Sequence, residues 1–336
     1  MPAIHVGIIG AGAIARDHAK SLKLNRNAGR LSFFDLDAAR AKALADEFEG
    51  DAIADMDALC EAVDLVWVCT PQFAHRDPVL AACRAKKAVF CEKPLAHSVA
   101  DARAIRQAVT KAGVPFYMGH SGRYAAVFQK MKQLVDAGDV GQPIKVWSNR
   151  QGFLPRGATA PWRFDDAKSG GPILETGVHE IDFVRWLGGD WESAAAYAAA
   201  DVVKQGKTSS EYQHSVVATG TLASGAIGVV DFSFSNPHYV WQRGVVGSDA
   251  SLLFDDSRFP EVLVDRPGKK PRVIKTKDWI YPKTGENMTF REQDAAVLKA
   301  MKTGEPFGVS IDDGYAGVAT AAAIRKAAAT GRRVKV

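Results

Sequence analysis

The segment His5-Val6-Gly7-Ile8-Ile9-Gly10-Ala11-Gly12-Ala13-Ile14-Ala15 decides how the first third of the chain is read. His5–Ile9 is an apolar run of strand length, and a helical pattern follows over Ala13–Leu24. The turn between them fits G-x-G-x-x-G/A, which carries a mechanism only in this strand–turn–helix setting. Gly10 permits the tight turn, Gly12 lets backbone approach a pyrophosphate, and Ala15 is small enough for close helix–strand packing. The helix start, with Ala13 and Ile14 in its first turn, turns free N–H groups and a partial positive charge toward the phosphates. Leu31–Phe34 reads as the second strand, and Asp35 closes it. An acid there accepts from ribose hydroxyls and repels a 2′-phosphate, so NAD is expected over NADP.

Working outward, the alternation continues to about residue 120. Helices are expected over Asp37–Phe48, Pro78–Ala85 and Ser98–Ala112, the last with Ser98 as N-cap and Asp101 three residues on. Strands are expected over Asp64–Cys69, Ala88–Cys91 and Val114–Met118. Continuous apolar strands separated by helices imply a parallel sheet covered on both faces.

Beyond residue 120 the pattern changes. A helix over Ala125–Ala137 leads to a strand over Ile144–Asn149, an irregular stretch over Gly152–Gly171, and a helix near Ile173–Leu187 closed by Gly188 and Gly189. Alternating runs follow at His214–Leu222, Ala226–Phe234, Trp241–Val246, Leu252–Phe254, Val262–Val264 and Val273–Lys275. Helices close the chain at Phe290–Met301 and Gly314–Ala329. Successive strands with short turns imply a mostly antiparallel sheet. The expected fold class is α/β: an N-terminal Rossmann dinucleotide-binding domain over 1–120, and over 121–336 an α/β domain with a large, mostly antiparallel sheet.

Composition agrees with two ordinary globular domains: 336 residues, 47% hydrophobic and 24% charged. Cys60, Cys69, Cys83 and Cys91 fit neither zinc spacing nor a disulfide framework, so reduced thiols and no metal are expected. The N-terminal apolar run has no charged lead or cleavage site and is too short and glycine-rich to span a bilayer. A cytoplasmic location and no membrane partner are therefore expected. The net charge of +5 is mild, and the basic stretches at 266–277 and 332–336 read as solvated sheet edges. No nucleic-acid partner is expected.

Further stretches carry a resemblance over nearly the whole chain. They are Cys69-Thr70-Pro71 followed by His75; Cys91-Glu92-Lys93-Pro94; Gly119 to Tyr124 (GHSGRY); and Trp162-Arg163. Then come Ser169-Gly170-Gly171; Glu175-x-Gly177-x-His179-x-x-Asp182; and Ser310, Asp313 and Gly314 before an alanine-rich helix. In this order they resemble the glucose–fructose oxidoreductase / inositol dehydrogenase (Gfo/Idh/MocA) family. The resemblance implies oxidation or reduction of a secondary alcohol or hemiacetal on a sugar, inositol or sugar derivative. It places the family's catalytic lysine at Lys93 and its histidine at His179. The family's usual aspartate four residues before that histidine is replaced by Glu175, counted here as a third catalytic candidate. Thr70, Pro71, His75, Glu92, Lys93, Trp162 and Arg163 fall at cofactor positions. Arg123, Tyr124, Arg163, Glu175, Lys93 and His179 fall at substrate positions. The resemblance also implies a homodimer or homotetramer built through the C-terminal sheet.

The chemistry is consistent with those roles. Alcohol oxidation needs a base for the hydroxyl proton and a cation near the developing alkoxide, roles that suit His179 and Lys93. Lys93 follows a parallel strand, at the end where ligands of such sheets bind. Glu175 and His179 are four residues apart and would share a helix face, while Asp182 offers a second way to hold the imidazole tautomer. Trp162 reads equally as a buried loop anchor, and His18 as a structural residue. Two other functions stay open: a glycosidase-type enzyme that oxidises its sugar transiently, and a non-catalytic nucleotide sensor.

Overall fold

The computed structural model describes residues 2–153, 161–200, 213–277 and 288–336. Part of the irregular stretch expected over 152–171 lies outside them. The chain runs β1 (Ile4–Ile9), α1 (Ala13–Lys23), β2 (Ala28–Phe34), α2 (Ala38–Glu47), β3 (Asp51–Ala52), α3 (Met56–Ala62), β4 (Leu65–Val68), α4 (Arg76–Arg84), β5 (Ala88–Glu92), α5 (Val99–Ala112) and β6 (Phe116–Gly119). It continues with α6 (Ala126–Asp136), β7 (Pro143–Phe153), α7 (Asp166–Ser169), α8 (Pro172–Glu175), α9 (Val178–Gly188), β8 (Ser193–Ala200), β9 (Gln213–Thr221), β10 (Ile227–Ser233) and β11 (Ser235–Gly247). Last come β12 (Ser251–Asp255), β13 (Glu261–Asp265), β14 (Arg272–Lys275), α10 (Met288–Thr303), α11 (Ile311–Thr330) and β15 (Val334–Lys335).

The described residues form two compact units. The first comprises 1–121 and 287–315, so α10 packs with the N-terminal elements. Its six strands lie in the order β3-β2-β1-β4-β5-β6, all parallel. Ile8, Phe33, Trp67 and Phe90 fill one core layer, completed by Val297 and Leu298 from α10. The strand order reverses between β1 and β4, which puts a ligand crevice at the carboxyl ends of these strands. Ser98 caps α5 as expected, accepting the Asp101 N–H; Asp37 and Asp55 cap α2 and α3 in the same way.

The second unit, 122–286 with 316–336, is built on nine strands in the order β14-β13-β12-β11-β7-β10-β9-β8-β15. Every pairing is antiparallel except β10 with β7. The two basic stretches supply the strands at its two edges, β14 and β15, where lysine and arginine discourage further strand pairing. Cross-strand register puts Ala196, Ala218, Val230, Ser148, Arg243 and Phe254 on one face. That face is buried, and α9 packs on it. The opposite face carries Tyr197, 85% exposed, together with exposed Val217, Ile227 and Val273.

The structure differs from the expected helix near Ile173–Leu187, which is broken into α8 and α9 at Thr176 and Gly177. A Cβ on Gly177 would lie 2.7 Å from the Ile173 carbonyl oxygen, so the chain tightens there only because no side chain is present. Five further elements, β3, α3, α7, β8 and β15, have no counterpart in the sequence reading. Among the described residues no helix is long and apolar enough to cross a membrane.

Candidate active site

The first unit gathers its candidates at one edge. Parallel register places the Gly10 turn after β1, Asp35 after β2, Thr70 and Pro71 after β4, and Lys93 after β5. Gly10 has φ +94°, and a Cβ there would lie 2.8 Å from the Cys69 carbonyl carbon and the Thr70 nitrogen. Only glycine fits that close crossing. Gly12, by contrast, caps α1 without a side-chain bond, and a Cβ there would meet nothing within 4 Å. An α1 N-terminus with no side-chain cap and open space at Gly12 fits a bound pyrophosphate.

Asp35 is fixed rather than loose. One carboxylate oxygen accepts the Ala11 N–H at 2.7 Å and the other accepts the Asp37 N–H at 2.9 Å. Each oxygen keeps a second lone pair for a hydroxyl. The nearby cation Arg40 is paired with Asp37 at 3.3 Å. This carboxylate beside a phosphate-ready helix fits the adenosine half of NAD.

His75 is buried, with Nε2 2.8 Å from the Thr70 carbonyl and Nδ1 3.3 Å from the Leu95 carbonyl and 3.5 Å from Cys91 Sγ. Burial lowers its pKa, against backbone hydrogen bonds that raise it, so the ring is neutral. We assign its proton to Nε2, donating to Thr70, the shorter contact. His75 therefore holds the Thr70–Pro71 loop, while its unprotonated Nδ1 faces the Cys91 thiol. Burial pushes the Cys69 and Cys91 thiols well up, which leaves them protonated and unreactive. Among the described residues no cluster of three His, Cys, Asp or Glu side chains is placed to hold a metal.

In the second unit, Trp162 and Arg163 lie on a short 3-10 turn over Pro161–Phe164. The Arg163 guanidinium sits 5.9 Å from the Trp162 ring centroid and donates to Glu175 Oε1 from Nε at 3.1 Å and from Nη2 at 2.6 Å. Thr176 donates its hydroxyl to the other Glu175 oxygen. Glu175 ends α8 while His179 lies in the first turn of α9, so the two do not share the face of one continuous helix.

Helix α9 is anchored through two acids just beyond His179, Glu180 and Asp182. Glu180, fully buried, accepts from Arg243 Nε at 2.9 Å and Nη2 at 2.8 Å, from Arg150 at 3.4 Å, and from the Ser148 hydroxyl. Burial alone would raise the Glu180 pKa, but Arg243, Arg150 and Ser148 more than reverse it, so it stays ionised. Arg243 lies 4.3 Å from the Phe128 ring centroid and 4.6 Å from that of Phe183, so the cation is wrapped in aromatic faces. Asp182 accepts a fork from Arg123, at 2.9 Å from Nε and 2.6 Å from Nη2. Arg123, expected at the substrate, thus grips α9 and lies over Trp186; Tyr124 follows it in the same 3-10 turn. Both Asp182 oxygens, considered for holding the imidazole, are engaged by that guanidinium. Glu180 and Arg243 carried no periodic or motif signal: a buried glutamate reads as a solvated helix position until its partner strand is known.

Comparison with known proteins identifies the family and the fold. The model for the oxidoreductase family with an NAD-binding Rossmann fold matches residues 4–120, and that for the GFO/IDH/MocA C-terminal domain matches residues 128–253. Inositol 2-dehydrogenase 3 of Saccharopolyspora erythraea is 31% identical over 341 residues, covering 99% of this chain and 95% of that protein. Myo-inositol 2-dehydrogenase of Thermotoga maritima is 29% identical, covering 99% of this chain and 98% of its own. A levoglucosan dehydrogenase solved with NADH and levoglucosan shares the fold, with a TM-score of 0.89 over 99% of both chains at 20% identity. The chain therefore belongs to the GFO/IDH/MocA family of NAD-binding Rossmann-fold oxidoreductases.

Proposed function

We propose that this protein oxidises a secondary alcohol or hemiacetal of an inositol, sugar or related derivative, with NAD as hydride acceptor and Lys93 and His179 as the catalytic pair. The observation that carries the reading is the shared strand edge of the first unit. There an uncapped α1 N-terminus with open space at Gly12, the fixed Asp35 carboxylate and the Glu92–Lys93 strand end lie side by side. When bound, NAD supplies the ring that accepts hydride. His179 removes the hydroxyl proton, a task suited to imidazole near neutral pH. The Lys93 ammonium stabilises the alkoxide charge as it develops. Glu175, with Arg163 and Thr176 on its two oxygens, is assigned with Tyr124 and Trp162 to the substrate and nicotinamide end. Thr70, Pro71 and Glu92 line the cofactor edge, His75 braces it from behind, and Arg123 acts through α9.

NAD is favoured over NADP because Asp35 is held in place to meet a ribose and would repel a 2′-phosphate, while Arg40 already has Asp37. The exposed sheet residues Tyr197, Val217 and Ile227 support a homodimer or homotetramer with closed symmetry. A monomeric mass by light scattering at micromolar concentration contradicts that assembly.

The activity test is direct. Protein and NAD are incubated with inositols, sugars and glycosides while absorbance of the reduced cofactor is followed, inositols first because two relatives carry that name. Net reduction with at least one polyol supports the proposal. Glycoside cleavage without net reduction means transient oxidation instead, and tight NAD binding without turnover of any compound means a sensor.

A further inference from the structure

His18 lies on α1, the helix that starts at the phosphate-binding turn, and is completely buried. Its Nδ1 is 3.0 Å from one oxygen of Asp294, on α10, and 3.1 Å from the other; its Nε2 is 3.1 Å from Glu92 Oε1. Each ring nitrogen thus faces a carboxylate, the geometry in which an imidazolium donates on both sides. Burial alone would strip its proton, but Asp294 and Glu92 together raise the pKa to about 10. Trp67, Phe90 and Phe290 surround the ring at centroid distances of 5.3, 5.3 and 5.1 Å. The charged groups facing it are thus Glu92 from β5 and Asp294 from α10, with the protonated thiols of Cys69 and Cys91 nearby.

Glu92 connects this cluster to the reaction. Its second oxygen, Oε2, accepts the backbone N–H of Lys93 at 3.1 Å. On neighbouring β6, a Cβ at Gly119 would lie 2.9 Å from Glu92 Oε1, so the absent side chain leaves the carboxylate its room. Three ionisable groups in a dry pocket are costly to desolvate and are a poor way merely to fill a core. Their arrangement makes sense as a clamp: Asp294 holds His18, His18 holds Glu92, and Glu92 sets the backbone from which the Lys93 side chain departs.

We propose that His18 is a positioning residue for Lys93, fixing the strand end that carries it and coupling that strand end to the phosphate-binding helix. The inference rests on the role given to Lys93 above.

The test compares His18→Gln and Asp294→Asn with wild type and with Lys93→Ala. Four quantities are read: kcat and KM, NAD affinity by fluorescence, melting temperature, and the acylation rate of Lys93 in cofactor-free protein. The last is measured by mass spectrometry against exposed Lys42 as internal reference. Folded His18→Gln is expected to lose about tenfold or more in kcat while KM and NAD affinity stay within about threefold, the signature of a misplaced reacting group. Its Lys93-to-Lys42 acylation ratio should change by about threefold or more, an effect that general loosening of the fold would not confine to Lys93. Asp294→Asn keeps the shape of the clamp and should shift the same two readouts less; it decides the matter if His18→Gln does not fold. A folded variant with kcat and acylation ratio within about twofold of wild type overturns the proposal, as does a kcat loss matched by loss of NAD affinity. Near-normal turnover in Lys93→Ala refutes the role of Lys93 itself, whereas an inactive Lys93→Ala beside a normal His18→Gln refutes only the clamp.

Discussion

Lys93 and His179 each stand next to a buried glutamate, and the two glutamates are held differently. Glu92 meets a single imidazolium that is shared with a second carboxylate, Asp294. Glu180 meets two guanidiniums, Arg243 and Arg150, and a serine hydroxyl. Both networks anchor the backbone beside a candidate catalytic side chain. The first depends on a proton that leaves near pH 10; the second depends on cations that keep theirs. In this protein the candidate catalytic groups are placed by their neighbours' buried charges, and the two placements should fail under different conditions.

The largest effect comes from breaking the guanidinium network. Arg243→Met leaves Glu180 buried with only Arg150 and Ser148, and should cost about 3–5 kcal/mol in urea unfolding. A loss below about 1 kcal/mol would mean that water or Arg150 compensates fully and that the network does not anchor α9.

The imidazolium network should reveal itself through pH. The His18 pKa is raised above its ordinary 6.5 to about 10, so its stabilisation is complete below pH 6.5 and disappears as pH rises through 10. The stability gap between wild type and His18→Gln should therefore be a few kcal/mol at pH 6 and close progressively toward pH 10. The gap between wild type and Arg243→Met should change much less over that range. Equal pH dependence in the two pairs would erase the distinction drawn here.

Two smaller effects sharpen the comparison by leaving both networks alone. Asp35→Asn removes the charge that repels a 2′-phosphate and should narrow the preference for NAD over NADP by about tenfold, ~1.4 kcal/mol. Fluorescence titration of both cofactors reads it, and an unchanged ratio sinks the assignment. Ser98→Ala removes the α5 cap, a few residues beyond Lys93, and should cost about 1 kcal/mol of stability without lowering kcat.

What the sequence made legible follows from where its signals are local. The strand–turn–helix around Gly10 and Gly12, Asp35 after β2, the Ser98 cap and the Gly189 helix end each depend on a few consecutive residues. The misses depend on partners far along the chain. Ser193–Ala200 reads SAAAYAAA, rich in the best helix former, yet pairing with β9 and β15 makes it a strand. The break between α8 and α9 depends on a close approach at Gly177 that spacing alone does not announce, so Glu175 and His179 do not share one helix face. The sequence shows His18 only as a buried helix position, because its partner Asp294 lies 276 residues away. Lys93 and His179 stood out by resemblance; the networks beside them could be seen only once β5, β7, β11 and α10 were in place.

The most direct measurement of the central claim is steady-state turnover and NAD affinity for Lys93→Ala, His179→Ala and the double variant. Each single substitution should lower kcat by about a hundredfold or more while NAD affinity stays nearly unchanged. If the two residues act as a pair, the double variant should lose much less than the product of the two. Near-normal turnover in either single variant, with a substrate that wild type oxidises, would contradict the claim.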